Sequence, residues 1–156
     1  MRVLFVCTAN ICRSPTAHGV LRHLAREAGL EDHVVVDSAG THDYHAGESP
    51  DRRAQKHAAR RGYDLSDLKA RCIRPGDFAN FDLILAMDRG HLQLLERDCP
   101  PEQRHKLRLF MEYAEGTAGD QVPDPYYGGS LGFERVLDLV EAGARGLLGE
   151  IRRRRF

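Results

Sequence analysis

The residues with the clearest chemical potential lie in the stretch VCTANICRSP, near the N-terminus. Cys7 is followed, after five intervening residues, by Arg13, Ser14 and Pro15. A thiolate is a strong nucleophile, and a planar guanidinium can hold two oxygens of a phosphoryl group at once. The combination predicts a sulfur atom that attacks phosphorus while an arginine binds the phosphoryl oxygens.

A predicted strand and a predicted helix flank the Cys7 loop. Val3 to Val6 are apolar and rich in β-branched residues, as in a strand buried on both faces. Ser14 can cap the helix that follows, and Pro15 suits its first position. The loop would then direct backbone N–H groups and the positive end of a helix into one small volume. Such a site suits an anion and favours the thiolate of Cys7 over the thiol.

Strands and helices alternate along the rest of the chain. In order, the patterns predict a helix ending at Gly29, a strand at Val34 to Val36, a helix from Ser49 and Pro50 to Gly62, a strand at Phe81 to Asp88, a helix from Arg89 to about Asp98, a strand at Lys106 to Tyr113, and a last helix spanning Phe133 to Ile151. We expect Asp88 to cap the helix that follows it. The alternation predicts a single α/β domain over residues 1–156, with a parallel sheet between helices on both faces.

Composition and charge argue against several classes of function. The 23 basic and 23 acidic side chains cancel, which gives no reason to expect a nucleic acid or membrane partner. No apolar run approaches the roughly 20 residues that span a bilayer. The four cysteines have no regular spacing, which indicates a reducing compartment, and we expect the cytoplasm. The eight histidines are scattered, with no His-x3-His pair beside a carboxylate, so we expect no metal ion.

Three motifs together resemble those of the low-molecular-weight protein tyrosine phosphatases. They are VCTANICRSP, DSAGT and PDPYYGG, which follow that family's order in a chain of that family's length. The resemblance implies the flavodoxin-like strand order 2-1-3-4 in a three-layer domain. It also implies a cysteine-dependent phosphoric monoester hydrolase that needs no cofactor. In it, Cys7 is the nucleophile and Arg13 binds the phosphoryl oxygens.

The resemblance assigns further roles in and around the loop. The Ser14 hydroxyl would support the Cys7 thiolate, and Asn10 would hold the loop in shape. Ser38 would brace Asn10 from the end of the neighbouring strand. The other loop residues expected at the phosphate or substrate are Thr8, Ala9, Ile11 and Cys12.

Asp124 is the expected proton donor. The residue before a proline is restricted to extended conformations, so Pro125 would hold Asp124 stiffly on its loop. A carboxylic acid that protonates the departing phenolate typically accelerates such a step ~10²–10⁴-fold. The carboxylate could then take a proton from the water that attacks the phosphocysteine. Arg13 and the loop amides would stabilise the charge without a metal ion.

Three tyrosines are expected to line the cleft: Tyr44, Tyr126 and Tyr127. Aromatic walls would clasp a phenyl ring and deepen the site, which favours phosphotyrosine over the shorter phosphoserine. In the family, an apolar branched residue at Ile11 goes with phosphotyrosine, and Thr goes with phosphoarginine. We therefore expect a phosphotyrosine protein as substrate, phosphate or another oxyanion in the site, and a monomer.

Two positions depart from the family pattern, and one neighbour adds a redox possibility. Ala9 stands where the family usually has Gly, so we expect backbone strain there. Leu68 stands where many relatives have a supporting histidine, so that hydrogen bond would be missing. In the family, the pair Cys7 and Cys12 can form a reversible disulfide that protects the nucleophile.

Three alternatives remain open at this point. A thiol-dependent arsenate reductase needs two further cysteines close together, whereas Cys72 and Cys99 lie far apart. Ile11 and Tyr126 argue against a phosphoarginine phosphatase. A phosphoprotein-binding module without activity would lack one of the three reactive side chains, which are all present.

Overall fold

Four parallel strands form one sheet at the centre of the structure. The computed structural model describes residues 1–116, 119–126 and 129–155. The strands in those ranges are β1 (Arg2–Cys7), β2 (Val35–Gly40), β3 (Leu83–Ala86) and β4 (Leu107–Leu109). They lie in the order β2-β1-β3-β4, and each neighbouring pair is parallel. The predicted strand order 2-1-3-4 is confirmed.

Helices cover both faces of this sheet. In the described ranges they are α1 (Arg13–Glu27), α2 (Arg52–Arg60), α3 (Asp77–Asn80), α4 (Arg89–Asp98) and α5 (Ser130–Arg155). Alternate residues of β1 enter two separate apolar clusters, because successive side chains of a strand point to opposite faces. Val3 and Phe5 pack with α1 and α5, and Leu4 and Val6 pack with α3 and α4. The predicted three-layer arrangement is confirmed.

Two of the predicted helix starts are wrong, and one is confirmed. Helix α1 begins at Arg13, so Ser14 lies inside the first turn, and its hydroxyl makes contacts in the Cys7 loop instead of capping the helix. Helix α2 is capped by Asp51, whose carboxylate accepts the Arg53 and Ala54 N–H groups, and the cap is not Ser49. Asp88 caps α4, as predicted, by accepting the His91 N–H.

The strand predicted from Lys106 to Tyr113 is mostly wrong. Only Leu107–Leu109 pairs with β3, and the chain continues as a 3₁₀ turn at Phe110–Tyr113. Phe110 is fully buried with its ring edge-on to Phe5, at a centroid distance of 4.9 Å. The strand therefore ends early because Phe110 packs under α5. The secondary structure of a short apolar run cannot be read from its periodicity alone.

The carboxyl ends of the strands meet at one edge of the sheet. Cys7 ends β1, and its register partner Gly40 ends β2. Met87 follows β3 and accepts a backbone hydrogen bond from Val122, at 2.8 Å. This bond draws the loop before α5 to the same edge, where ligands bind in open α/β sheets. None of the helices in the described ranges combines the length and apolar character needed to cross a bilayer.

Candidate active site

The loop from Cys7 to Arg13 is shaped by Asn10. Its backbone φ is 59°, a left-handed conformation that asparagine tolerates better than most residues. The Asn10 amide nitrogen donates to Ser14 Oγ at 2.8 Å, and its amide oxygen accepts the Arg71 N–H at 3.0 Å. In the described part of the chain, no backbone N–H of residues 8–14 donates to a protein acceptor. Such a run of unpaired donors can hold an oxyanion.

The sulfur of Cys7 lies beside the hydroxyl of Ser14. Their Sγ and Oγ atoms are 2.9 Å apart, and both residues are buried. Ser14 Oγ accepts the Asn10 amide N–H and lies 3.4 Å from the Ala39 carbonyl oxygen. A hydroxyl has one proton, so that proton is available to the sulfur or to the carbonyl. The serine can therefore donate to a thiolate at Cys7.

The guanidinium of Arg13 is buried among oxygen atoms. It donates to Asp88 Oδ2 at 2.8 Å and to the Val122 carbonyl at 3.0 Å. Its second terminal nitrogen lies 3.7 Å from Asp124 Oδ2. Burial alone would raise the pKa of the Asp88 carboxyl, but the His91 N–H and the arginine hold it below its usual value. Asp88 therefore remains an anion that orients the cation.

His91 was not predicted from the sequence and contacts the same loop. Its Nε2 lies 2.8 Å from Thr8 Oγ1, and its ring is buried. Burial and the nearby Arg13 cation lower the pKa of His91 to about 4. The ring is therefore neutral at pH 7 and fixes the Thr8 hydroxyl without adding charge.

Asp124 lies at the mouth of the site. Its side chain is 52% exposed, and its Oδ1 accepts the Tyr126 N–H at 3.0 Å. Its Oδ2 is directed toward Arg13. The carboxylate accepting the N–H two residues on forms a local turn around Pro125, which restrains the side chain.

Nine of the thirteen predicted site residues line one cavity of about 290 Å³. Its lining residues are Cys7, Thr8, Ala9, Ile11, Cys12, Arg13, Tyr44, His45, Asp124 and Tyr126. Asn10 and Ser14 are buried and hydrogen-bonded to each other instead of lining the cavity. Tyr44 is 66% exposed and stacks on His42, while Tyr127 lies outside the described residues. His45 also lines the cavity and was not predicted, because it belongs to no motif of its own.

Ser38 does not contact Asn10, contrary to expectation. Its hydroxyl pairs with His18 Nδ1 at 2.9 Å, because α1 places that buried ring over β2. Burial, followed by the Arg22 cation, lowers the pKa of His18 to about 4. The support that Asn10 receives comes instead from Ser14 and from the backbone of Arg71.

The expected strain at Ala9 is wrong. In the described part of the chain, the only non-glycine residue with a positive φ is Asn10. Leu68 is buried in the apolar core, and the polar support arrives three residues later from Arg71. The Arg71 side chain is held at 3.0 Å from both Asp37 and Asp77. A salt-bridged segment therefore fixes the loop.

Cys12 is buried beside the cavity. Burial, with Asp51 as the next contribution, raises the pKa of the Cys12 thiol well above its ordinary value. The group is therefore protonated at pH 7 and is unsuited to act as the attacking thiolate. All four cysteines of the chain are free thiols in this structure. Within the described ranges, no cluster of three or more possible ligands could hold a metal ion.

Comparisons with known proteins agree with this geometry. The sequence model of the family "Low molecular weight phosphotyrosine protein phosphatase" matches residues 2–155. A Streptomyces coelicolor protein named low molecular weight protein-tyrosine-phosphatase is 47% identical over 154 residues, which cover 97% of this chain and 93% of that protein.

Solved structures extend the likeness to three dimensions. A protein tyrosine phosphatase from Entamoeba histolytica, crystallised with Hepes in the active site, superposes with a TM-score of 0.95 at 38% identity, covering 98% of this chain and 97% of that one. A Drosophila arginine phosphatase superposes with a TM-score of 0.90 at 32% identity, covering 97% and 98%. The family match over residues 2–155 and the 47% identity to the Streptomyces coelicolor protein show that the chain belongs to the low molecular weight phosphotyrosine protein phosphatase family.

Proposed function

We propose that this protein hydrolyses phosphotyrosine in proteins, and small aryl phosphates, through a phosphocysteine intermediate on Cys7. One observation supports the proposal most directly. A nucleophilic sulfur, a guanidinium and a carboxylate, those of Cys7, Arg13 and Asp124, line the same cavity. Those are the three groups that a metal-independent transfer of a phosphoryl group to sulfur requires.

The first half-reaction transfers the phosphoryl group to sulfur. The loop N–H groups and Arg13 hold the phosphoryl oxygens, and the Cys7 thiolate attacks phosphorus. A P–S bond forms as the P–O bond to the tyrosine breaks. Asp124, in its acid form, gives its proton to the departing phenolate oxygen, so a neutral phenol leaves.

The second half-reaction releases phosphate. The Asp124 carboxylate takes a proton from a water molecule as that water attacks the phosphocysteine. A new P–O bond forms and the P–S bond breaks. The electron pair of that bond returns to Cys7 as a thiolate, which the Ser14 hydroxyl 2.9 Å away can stabilise by donating a hydrogen bond.

The shape of the cavity favours an aryl phosphate. Two aromatic side chains, Tyr44 and Tyr126, and the apolar side chain of Ile11 line the cavity together with the reactive loop. The structural likeness to an arginine phosphatase makes phosphoarginine the alternative substrate of the same site. A planar aromatic wall suits the phenyl ring of phosphotyrosine.

Aryl phosphate hydrolysis by three proteins tests the mechanism. We expect turnover by the wild type, no turnover by Cys7→Ser, and a loss of ~10²–10⁴-fold for Asp124→Asn on phenyl phosphate. An inactive wild type, or a Cys7→Ser variant with full rate, would contradict the mechanism. Parallel turnover of phosphotyrosine, phosphoserine and phosphoarginine peptides distinguishes the substrate classes, and we expect phosphotyrosine to be preferred.

We further propose that the protein acts as a monomer in the cytoplasm. Its free thiols, including the buried pair Cys7 and Cys12, suit a reducing compartment. Light scattering measures the oligomeric state directly. The protective disulfide between Cys7 and Cys12 stays a prediction. Mass spectrometry after mild peroxide treatment tests it.

A further inference from the structure

Arg53, on the first turn of α2, contacts the loop that carries the proposed acid. Its guanidinium donates to the Tyr126 carbonyl oxygen at 3.0 Å. The same group lies 5.4 Å from the centroid of the Tyr126 ring and 4.8 Å from that of Phe133. One cation therefore holds both the backbone and the ring of the aromatic residue that follows the Asp–Pro pair.

The orientation of Arg53 is itself restrained. Asp51, the cap of α2, accepts from its Nε at 3.2 Å and from its terminal nitrogen at 3.0 Å. A planar guanidinium can satisfy these acceptors and lie against two rings at once, whereas a lysine ammonium cannot. This geometry predicts that charge alone will not replace the arginine.

Helix α2 is in turn fixed on α5. Arg61, just beyond the end of α2, forms ion pairs with three carboxylates of α5, those of Glu134, Asp138 and Glu141. The His57 ring stacks on Phe133 with centroids 5.5 Å apart. Helix α2, which carries Arg53, is therefore held on α5 by both ion pairs and ring stacking.

The contact reaches Asp124 through one residue. Tyr126, whose carbonyl oxygen Arg53 holds, donates its N–H to Asp124 Oδ1 at 3.0 Å. At the other end of the segment, Val122 is held by Met87 and by Arg13. The stretch 122–126 is thus tied to the protein at both ends, with the acid between them.

We propose that Arg53 is a positioning residue for Asp124, which it acts on by holding Tyr126 against α2. The proposal rests on the proposed function, because it presumes that Asp124 is the general acid. The Asp124 carboxyl is half exposed, and its ion pair with Arg13 is long, at 3.7 Å. The conformation of the loop must therefore determine where this carboxyl points. Proton transfer needs a donor–acceptor distance of about 2.6–3.2 Å, and a misplacement of about 1 Å can cost ~10²-fold in rate.

The experiment compares two leaving groups, because only a poor one needs a proton. The quantity measured is kcat/KM, which reports phosphocysteine formation, for phenyl phosphate and for 2,4-dinitrophenyl phosphate. We expect Arg53→Gln and Arg53→Lys to lose roughly 10–100-fold on phenyl phosphate, and less than about threefold on the dinitrophenyl ester. The matched control is Arg52→Gln, which removes an exposed arginine from the same turn of α2.

A double variant separates positioning from a general structural role. In the Asp124→Asn background, Arg53→Gln should cause no further loss on phenyl phosphate, because the acid through which it acts is absent. Equal losses on both substrates, additive losses in the double variant, or Arg53→Gln with wild-type rates would overturn the proposal. Asp124→Asn with equal losses on both substrates would instead contradict the proposed function itself.

Discussion

At the scale of single residues, Asn10 connects three parts of the site. It is the residue whose backbone turns left-handed, and its two amide atoms join Ser14 to the Arg71 segment. The loop N–H groups and the Cys7 sulfur depend on the shape that this residue imposes. The position therefore requires a residue that both tolerates a left-handed backbone and carries a side-chain donor and a side-chain acceptor, and asparagine meets both requirements.

Substitutions at Asn10 separate these two contributions. Asn10→Gly removes the amide contacts but suits a φ of 59°, whereas Asn10→Ala loses the contacts and also strains the backbone. We expect both variants to lose roughly 10–100-fold in kcat/KM for phenyl phosphate. In urea titrations the alanine variant should unfold with a free energy about 1–2 kcal/mol lower than the glycine variant. Wild-type activity in Asn10→Gly would show that the amide contacts do not hold the loop.

At the scale of elements, the approach of α5 to the Phe110–Tyr113 turn explains why β4 is short. Gly143 and Gly146 face this turn: a Cβ atom at Gly143 would lie 2.7 Å from the Phe110 ring, and one at Gly146 would overlap the Tyr113 carbonyl oxygen. The helix therefore packs directly on the backbone of the turn. That contact buries Phe110 and ends the strand after Leu109.

A pair of glycine substitutions in α5 tests this contact. Gly146→Ala should lower the free energy of unfolding by about 1–3 kcal/mol or more, because the methyl group forces the helix from rigid backbone. Gly149→Ala is the matched control, since its nearest neighbour is an arginine side chain 3.7 Å away. It should raise the free energy of unfolding by roughly 0.5–1 kcal/mol through helix propensity. Equal stabilities of the two variants in urea titrations would contradict the packing.

At the scale of the whole molecule, two buried histidines link folding to pH. Burial is the largest cause that lowers the pKa of His18 and of His91, in each case from 6.5 to about 4. The unfolded chain binds a proton at each ring near pH 6.5, whereas the folded protein does so only near pH 4. Between these values the unfolded state binds more protons, so stability rises with pH and is lost as pH falls.

Urea titrations at pH 7, 6 and 5 measure this linkage. We expect the free energy of unfolding to fall by about 2 kcal/mol for each of the two histidines between pH 7 and pH 5. His18→Gln should reduce the slope, because the glutamine cannot titrate. The control His105→Gln, which replaces an exposed histidine, should keep the wild-type slope. A wild-type stability that is constant over this interval would contradict the linkage.

The reactive groups were predictable because their signals are local. Cys7 and Arg13 share one short loop after an apolar strand, and Asp124 precedes a proline. The side chains that hold these reactive groups in place were not predictable from the sequence. His91 and Arg53 reach the site from other helices, and no spacing along the chain marks such contacts.

The sequence by itself determined the alternation of strands and helices, the parallel sheet and the motif that carries the nucleophile. These follow from hydrophobic period and from backbone preferences, which act over a few residues. Only the tertiary structure decided that β4 stops at Leu109 and that Ser38 pairs with His18. In each case a local preference competed with burial or hydrogen bonding to a distant segment. The distant partner prevailed because a buried polar group or aromatic ring loses more free energy when left unpaired or exposed.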